Sequence, residues 1–297
     1  MLNIGVLTVN DFSFHPNGRL REAAEKLGHK IILINPYDMI AGISKSTFEY
    51  YIDSIADNLD VVMPRQGSPM GDYGLVLLRQ FNELDIPLVN NLNGITITRN
   101  QYITLQVLTA SDLAVPDTCF ITKKELLRNA VQQVGGFPVV LKQIDGMGGT
   151  GVIKVNSEKD AVAFLEHHLS QRRGVLVQQF LSPEKRQDVR VLVVGGKVAG
   201  AMELKPEKMN FRANIHQQGK AEKFDLSEEL ESLALKAANV CDLEIAGIDL
   251  ILKKGCDPVI IEVNFSPGFK GLESACSIDV AEKVIHYVVS THRAPGI

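Results

Sequence analysis

The sequence predicts a mixed α/β protein, in which a small parallel α/β domain precedes a larger unit built on antiparallel strands. Residues 1–92 alternate short apolar runs with helical patterns, which is typical of a parallel sheet with right-handed crossovers. Further along, the runs Asp188–Val194 and Lys197–Leu204 flank Gly195-Gly196, which indicates a tight hairpin. A second hairpin is indicated by two β-branched runs on either side of residues 253–258, which contain Gly, Asp and Pro.

Composition limits the classes of function. The 297 residues suffice for two domains, and 45% of them are hydrophobic. A net charge of -4 gives no reason to expect direct nucleic-acid binding. No apolar run is long enough to span a membrane, the N-terminus lacks a signal-peptide pattern, and the four cysteines form no zinc motif. We therefore expect a cytoplasmic protein with reduced thiols, no membrane partner and no nucleic-acid partner.

The elements of the first domain follow from hydrophobic periodicity. Strands are predicted at 3–9, 30–35, 60–63 and 87–90, and helices at 19–27, 47–58 and 73–84. Ligands of parallel sheets gather at the carboxyl ends of the strands, and Arg65 lies there, just after the third run.

The second unit begins with a predicted helix at 93–112 and ends with one at 273–290. Between them, strands are predicted at 118–122, 139–142, 151–155, 175–181, 188–194 and 197–204, with helices at 123–134, 158–169 and 227–241.

The second hairpin carries a cluster of oxygen ligands. Centring its turn near Gly255 and Cys256 places Asp249 opposite Glu262, and Asn264 lies on the same face because side chains alternate along a strand. Two carboxylates and an amide oxygen suit Mg²⁺, which binds nucleotide phosphates through one or two carboxylates. The alternative is an ordinary hairpin with solvated polar residues.

A glycine-rich loop follows the apolar strand that ends at Lys142. Glycines let backbone N–H groups approach phosphate oxygens, and a nearby lysine adds a point charge. The loop matches neither the P-loop nor the Rossmann pattern, which disfavours a P-loop kinase or a dehydrogenase. A flexible turn is the alternative. The loop residues of interest are Gly146, Gly148, Gly149, Thr150 and Gly151.

Seven segments in order along the chain resemble the ATP-grasp superfamily, and specifically its RimK-type carboxylate–amine ligases. They are Arg65 with 73–81, 140–151, 177–180, 188–190, 211–214, 246–249 and 262–268. The resemblance implies an ATP-grasp fold with a pre-ATP-grasp domain at 1–92, a small lid subdomain at 93–178, and a C-terminal antiparallel-sheet subdomain at 179–297.

The resemblance also implies roles for individual residues. Lys142 would hold the nucleotide phosphates beneath the glycine loop, Gln179 and Phe180 would line the adenine slot, and Asp188 would reach the ribose. Asp249, Glu262 and Asn264 would bind two Mg²⁺ or Mn²⁺ ions. Arg190 would contact the γ-phosphate or acyl phosphate, Arg212, Ala213 and Asn214 would surround the phosphoryl-transfer centre, and Arg65, Ser266 and Gly268 would contact substrate.

The implied reaction is ATP-dependent formation of an amide or peptide bond through an acyl phosphate. The favoured substrates are L-glutamate and a carboxylate acceptor, which is a protein C-terminal tail, a peptide or a metabolite. Alternatives are a ligase for another amino acid or amine, of the glutathione-synthetase or lysine-pathway type, and an ATP-binding regulatory module. The last is motivated by Gln101, which stands where the family often has a lysine. A dimer or tetramer is expected.

Overall fold

The structure is a computed structural model, and it describes residues 1–52, 59–65, 71–144, 151–184, 186–205 and 220–291. The mixed fold class predicted from the sequence is confirmed, with a parallel sheet near the N-terminus and antiparallel sheets beyond it.

The N-terminal part is built on a three-stranded parallel sheet in the order β2-β1-β5. Its strands are β1 (Asn3–Leu7), β2 (Lys30–Ile34) and β5 (Val61–Pro64), and an antiparallel ribbon is formed by β3 (Met39–Ser44) and β4 (Thr47–Ile52). The helices are α1 (His15–Lys26) and α2 (Gly71–Glu83), with a 3-10 turn at Pro36–Asp38. Arg65 directly follows β5, so it lies at the carboxyl edge of this sheet, as predicted.

Two predictions for the N-terminal part are wrong. The described start of the predicted helix at 47–58 is strand β4, because Thr47 to Ile52 pair in register with β3. Residues 53–58 lie outside the described part. The predicted strand at 87–90 makes only a single parallel bridge, between Leu88 and Val62.

The predicted helix at 93–112 is two helices, α3 (Leu92–Thr98) and α4 (Gln101–Ala110). Asn100 separates them, because its backbone is extended and its side chain accepts hydrogen bonds from the N–H groups of Tyr102 and Ile103.

The central part is a four-stranded antiparallel sheet in the order β6-β9-β7-β8, covered on one face by two helices. The strands are β6 (Thr118–Ile121), β7 (Val139–Lys142), β8 (Val152–Val155) and β9 (Val175–Gln179). The helices are α5 (Leu127–Gln133), which follows a 3-10 turn at Lys124–Leu126, and α6 (Glu158–His168).

The C-terminal part is a five-stranded antiparallel sheet in the order β12-β11-β10-β13-β14. Its strands are β10 (Arg186–Val194), β11 (Lys197–Lys205), β12 (Lys220–Lys223), β13 (Ile245–Lys253) and β14 (Val259–Asn264). Its helices are α7 (Glu228–Val240), α8 (Lys270–Cys276) and α9 (Val280–Thr291).

The single closing helix predicted at 273–290 is therefore wrong. Ser277 adopts a left-handed conformation with φ of 53°, which ends α8. Asp279 then accepts a hydrogen bond from the N–H of Glu282 at 2.8 Å and begins α9.

The buried apolar side chains form three clusters, two of which join different parts of the protein. One joins α2 and the parallel sheet to α7 and the C-terminal sheet, a second joins α1 and β1 to α9, and the third lies inside the central part. Within the described residues, no helix combines the length and the apolar character needed to cross a membrane. The four cysteines are free thiols.

Candidate active site

Lys142 lies on the face of the central sheet that points away from α5 and α6. The strand register places it on the same face as Val140, Lys154 and Gln178, whereas Leu141 and its neighbours on the other face pack against α5 and α6. The Lys142 side chain is only 7% exposed, and burial lowers its pKa to about 8 although Glu262 and Asp249 act to raise it. Lys142 therefore lies close to the two carboxylates of the C-terminal hairpin.

Those carboxylates belong to a row of charges across three neighbouring strands. Arg190 on β10 is directly opposite Asp249 on β13, and Asp249 is directly opposite Glu262 on β14. The predicted pairing of Asp249 with Glu262 is confirmed. Asn264 follows on the same face, opposite Gly247.

The register of this hairpin differs in one detail from the sequence-based argument. The structure has a β-bulge, so Asp249 pairs with Glu262 but Leu250 pairs with Ile260, which leaves Ile261 without an opposed residue. The predicted register therefore holds from the pair Asp249–Glu262 to the pair Gly247–Asn264 and shifts by one residue on the turn side of the bulge. The Ile261 carbonyl instead accepts a hydrogen bond from Gln101 Nε2 at 3.3 Å.

Arg190 and Asp249 form a two-point ion pair. The distances from Nε to Oδ1 and from Nη2 to Oδ2 are both 2.6 Å. Burial acts against the charge of Arg190, but Asp249 outweighs it and holds the pKa of Arg190 above its ordinary value. Desolvation by the surrounding protein and the Asp249 charge raise the pKa of Glu262, against the effect of Arg190 and Lys142. The Glu262 side chain is nevertheless exposed to solvent, so a cation could reach it.

Asn90 fixes the position of this hairpin. Its buried side-chain oxygen accepts hydrogen bonds from the N–H groups of Glu244 and Ile245, at 2.8 and 2.7 Å. Its side-chain nitrogen donates to the carbonyls of Ile245 and Phe265, at 2.8 and 2.7 Å. One amide thereby joins the start of β13 to the residue after Asn264.

Gly247 allows the loop after β14 to approach β13 closely. A Cβ atom at position 247 would lie 2.8 Å from Cβ of Pro267, so any larger residue would displace this loop. Ser266, in the same loop, is partly exposed, and Gly268 is exposed with open space beside it. These two of the three predicted substrate residues are thus accessible.

The base of the glycine loop is closed by a hydrogen bond from the Gln143 N–H to the Gly151 carbonyl at 2.9 Å. Gly151 has a φ of 74°, a backbone conformation that favours glycine. The remaining residues predicted for this loop and for the phosphoryl-transfer centre lie outside the described residues. They are Gly146, Gly148, Gly149, Thr150, Arg212, Ala213 and Asn214.

At the predicted adenine end, Phe180 lies beneath Lys154, whose ammonium is 4.3 Å from the ring centroid. Gln179 pairs with Val139, which places its side chain on the helix-covered side of the sheet, so only its backbone could serve the role predicted for it. Gln178 is the glutamine on the Lys142 face, and it donates to Thr118 Oγ1 at 2.8 Å.

Asp188 forms an ion pair with Arg186, with an Nε–Oδ1 distance of 2.7 Å and an Nη2–Oδ2 distance of 2.9 Å. Burial raises the pKa of Asp188, although Arg186 opposes the shift. Its predicted contact with ribose stays a prediction.

Sequence reasoning did not select Asn90, Lys154, Gln178 or Arg186. Side chains alternate along a strand, so pairing of β8 and β9 with β7 puts Lys154 and Gln178 on the face of Lys142. On β10, Arg186 is two residues before Asp188 and therefore lies on the same face as Asp188. No local pattern identifies Asn90, whose partners lie at least 154 residues away in the sequence.

Within the described residues, no group of three or more His, Cys, Asp or Glu side chains could hold a metal ion. The predicted magnesium site does not require one, because it combines two carboxylates with the amide of Asn264. Asp249 and Glu262 are hard oxygen donors whose mutual repulsion a bound cation would relieve, so these residues fit the ion.

Two family models match this chain along most of its length. The RimK PreATP-grasp domain matches residues 2–95, and the RimK-like ATP-grasp domain matches residues 98–288. A probable alpha-L-glutamate ligase of Syntrophotalea carbinolica is 34% identical over 99% of this chain and 97% of its own length.

Solved structures share the fold at lower identity. A RimK domain ATP-grasp protein from Sphaerobacter thermophilus has a TM-score of 0.75 at 23% identity, covering 96% of this chain and 98% of that one. The ATP-grasp ligase PsnB, complexed with a phosphomimetic variant of its minimal precursor, Mg and ADP, has a TM-score of 0.71 at 19% identity and covers 98% of both chains.

These matches span nearly the whole chain and confirm the resemblance on which the sequence analysis rested, including the expectation of an ATP-dependent ligase that forms C–N bonds. The chain belongs to the RimK-like ATP-grasp family.

Proposed function

We propose that this protein is an ATP-dependent carboxylate–amine ligase that adds L-glutamate to a carboxylate acceptor through an acyl phosphate. The observation that carries the proposal is the row of Arg190, Asp249 and Glu262 facing Lys142. Two cationic and two anionic side chains are close together in this arrangement, which would suit transfer of a phosphoryl group between oxygens.

Asp249, Glu262 and Asn264 would hold Mg²⁺ in this proposal, in a pair of ions. Mg²⁺ bound there would neutralise negative charge on the ATP phosphates. The PsnB complex with Mg and ADP supports Mg²⁺ as the bound ion and an adenine nucleotide as its companion. Manganese is the alternative ion.

Lys142 would bind the nucleotide phosphates, and its burial makes that charge effective because little water screens it. Arg190 would stabilise negative charge on the γ-phosphate or on the acyl phosphate. Because Arg190 already pairs with Asp249, it orients a metal ligand as well as lying next to the reacting group.

Other roles follow from the same proposal. The glycine loop would close over the phosphates and exclude water from the acyl phosphate, whose hydrolysis competes with amide formation. Arg212 and Asn214, together with Ala213, would surround the phosphoryl group. Gln179 and Phe180 would line the adenine slot mainly through their backbone groups, and Asp188 would bind the ribose.

Glutamate is favoured as the amino acid because the relative from Syntrophotalea carbinolica is a probable alpha-L-glutamate ligase. The acceptor would be a protein tail, a peptide or a metabolite, and the PsnB complex with its precursor supports a peptide. The three-part domain division, the dimer or tetramer and the cytoplasmic location stay part of the proposal.

The test combines ADP release with product mass. The protein is incubated with Mg²⁺-ATP and single amino acids, with and without peptide and small-molecule acceptors that carry a glutamyl carboxylate. We expect ADP release only with a complete substrate pair, together with a product heavier by one glutamate residue.

Glu262→Ala serves as the matched loss-of-site variant, and Glu166→Ala on the exposed face of α6 serves as its control. Loss of ADP release in the first variant alone supports the metal site. ATP binding without turnover across the panel would contradict the ligase proposal and favour a regulatory module.

A further inference from the structure

Arg65 lies between the N-terminal sheet and the loop that follows the predicted metal ligands. Its backbone N–H donates to the carbonyl of Leu7 at 3.0 Å, which continues the pairing of β5 with β1. Its Nη2 donates to the carbonyl of Pro267 at 2.7 Å, and its guanidinium lies 5.8 Å from the Phe269 ring centroid. Pro267 is three residues beyond Asn264, so Arg65 borders the proposed reaction centre.

The guanidinium of Arg65 is desolvated but lacks a carboxylate partner in the described part of the chain. Desolvation lowers the pKa of Arg65 to about 10. Its Nε is buried and has no hydrogen-bond partner among the described residues. A buried cation without a counter-charge is unfavourable, and a buried N–H without an acceptor adds to that cost.

Two other arginines of the chain show how such a charge is ordinarily balanced. Arg186 and Arg190 each meet a carboxylate at two points, through Asp188 and Asp249 respectively. Arg65 has the same fork of donors, but toward the described residues it uses that fork only for a neutral carbonyl. The contrast indicates that the anion for Arg65 comes from outside the described structure.

His15 adds a second unpartnered nitrogen beside the same aromatic ring. Its ring is edge-on to Phe269 with a centroid distance of 5.7 Å, and its Nδ1 is buried without a partner among the described residues. Glu273 lies on the other side of the His15 ring: its Oε2 is 3.4 Å from His15 Nε2 and 3.4 Å from Arg19 Nε, and its Oε1 accepts hydrogen bonds from the N–H groups of Val280 and Ala281. Glu273 therefore does not pair with Nδ1 of His15.

We propose that Arg65 binds a carboxylate of the substrate that ATP does not activate, through its free Nε and an adjacent Nη, with His15 lining the same site. This inference rests on the proposed function, since it names the group that the ligase would recognise. A carboxylate fits because its two oxygens match the planar fork of a guanidinium and its single charge balances one arginine. The carboxylate belongs either to the incoming amino acid or to the acceptor.

The experiment compares Arg65→Met with wild type, using substrates with and without the carboxylate. L-glutamate is compared with its α-amide and its side-chain amide, and the acceptor is compared with a form amidated only at the carboxylate that is not ligated. In wild type, removing the recognised carboxylate raises KM by roughly tenfold or more. In Arg65→Met, the KM for the natural substrate rises similarly, and amidation has no further effect.

Arg21→Met is the matched control, because Arg21 also lies over a phenylalanine ring, that of Phe12, but on the exposed surface of α1. It should keep the wild-type preference for the carboxylate. The affinity for ATP should be unchanged in both variants, which shows that they fold and bind nucleotide normally.

The pattern of loss identifies the source of the carboxylate. An effect confined to glutamate analogues assigns the site to the amino acid, and one confined to acceptor analogues assigns it to the acceptor. Equal discrimination by wild type and Arg65→Met for both substrates would overturn the proposal.

A direct binding measurement separates this inference from the proposed function. Saturation-transfer NMR of L-glutamate and of the peptide acceptor, each with Mg²⁺-ADP present, needs no turnover. Binding that is lost both on amidation and in Arg65→Met supports the carboxylate site even if wild type releases no ADP. Binding that is absent, or unaffected by the substitution, in an enzyme without turnover would overturn both proposals.

Discussion

Arg190 and Asp249 lie opposite each other on neighbouring strands and form a two-point ion pair with both N–O distances at 2.6 Å. Both side chains are largely buried, with exposed fractions of 15% and 19%. Asp249 in turn faces Glu262, and Arg190, together with Lys142, supplies the positive charge that allows the two carboxylates to remain close together. The ion pair couples the geometry of the proposed metal site to the residue proposed to stabilise the phosphoryl group.

Removing that cation should affect stability and activity differently. Arg190→Met leaves Asp249 and Glu262 without their shared partner, so we expect the free energy of unfolding to fall by about 3 kcal/mol, as for other broken buried ion pairs. ADP release should fall at least a hundredfold. Urea denaturation and a coupled ADP assay measure the two effects.

The double variant Arg190→Met with Asp249→Asn provides the control. It removes the unbalanced charge, so it should recover much of the stability but none of the activity. Recovery of both would show that the ion pair has only a structural role.

The burial of Lys142 predicts a pH-dependent stability. Its pKa is about 8 in the folded chain, against an ordinary value of 10.5. Between these values the unfolded chain binds a proton that the folded chain does not, so this residue makes stability rise with pH from about 8 to about 10.5. Below pH 8 its charge is fully unfavourable.

Lys142→Met removes that titration. At pH 7 without nucleotide, we expect the variant to be more stable than wild type by on the order of 2 kcal/mol. The difference should shrink as the pH rises toward 10. Urea unfolding of both proteins at several pH values measures it, and a difference that stays constant with pH would contradict the assignment. The variant should also bind ATP more weakly.

Substitution of Gln101 by lysine should increase the affinity for Mg²⁺-ATP. It lies at the start of α4 and donates to the Ile261 carbonyl at the bulge next to Glu262. Gln101→Lys places a positive charge beside the proposed phosphate site, so the Kd for Mg²⁺-ATP should fall by roughly three- to tenfold. Calorimetry with ATP measures this change, and AMP serves as the control ligand because it lacks the β- and γ-phosphates. Unchanged or weaker binding of ATP would refute the position assigned to Gln101.

Replacing the uncharged Asn90 by leucine should greatly lower the free energy of unfolding. Asn90→Leu leaves two N–H groups and two carbonyls without their side-chain partner, so we expect a loss of about 3–5 kcal/mol in the free energy of unfolding. Asn93→Leu is the control, since Asn93 is exposed and donates to Asp242 at 2.9 Å. Similar losses in the two variants would contradict the role given to Asn90.

The pairing of Asp249 with Glu262 could be predicted because one short turn fixes the register of a hairpin. Strand β7 was predicted with its observed bounds, because its apolar run is short and ends at glycines and a proline. Both features depend on residues close together in the sequence.

Features that depend on distant partners could not be predicted. The prediction of a helix at strand β4 is wrong for this reason. The pairing of β4 with β3, and the hydrogen bonds from Gln80 on α2 to both strands, outweigh the local preference of the segment. The Arg190–Asp249 pair joins residues 59 positions apart, through a register that no local pattern specifies. The four hydrogen bonds of Asn90 are likewise formed only in the folded chain.

The central claim is that ATP activates a substrate carboxylate as an acyl phosphate, and transfer of oxygen-18 tests it most directly. The carboxylate oxygens of the acceptor are labelled, the ligation is run with unlabelled Mg²⁺-ATP and L-glutamate, and the released phosphate is analysed by mass spectrometry. We expect one labelled oxygen in phosphate for each amide bond formed, because the carboxylate oxygen bonded to phosphorus leaves with phosphate when the amine attacks. Amide formation with unlabelled phosphate would contradict it.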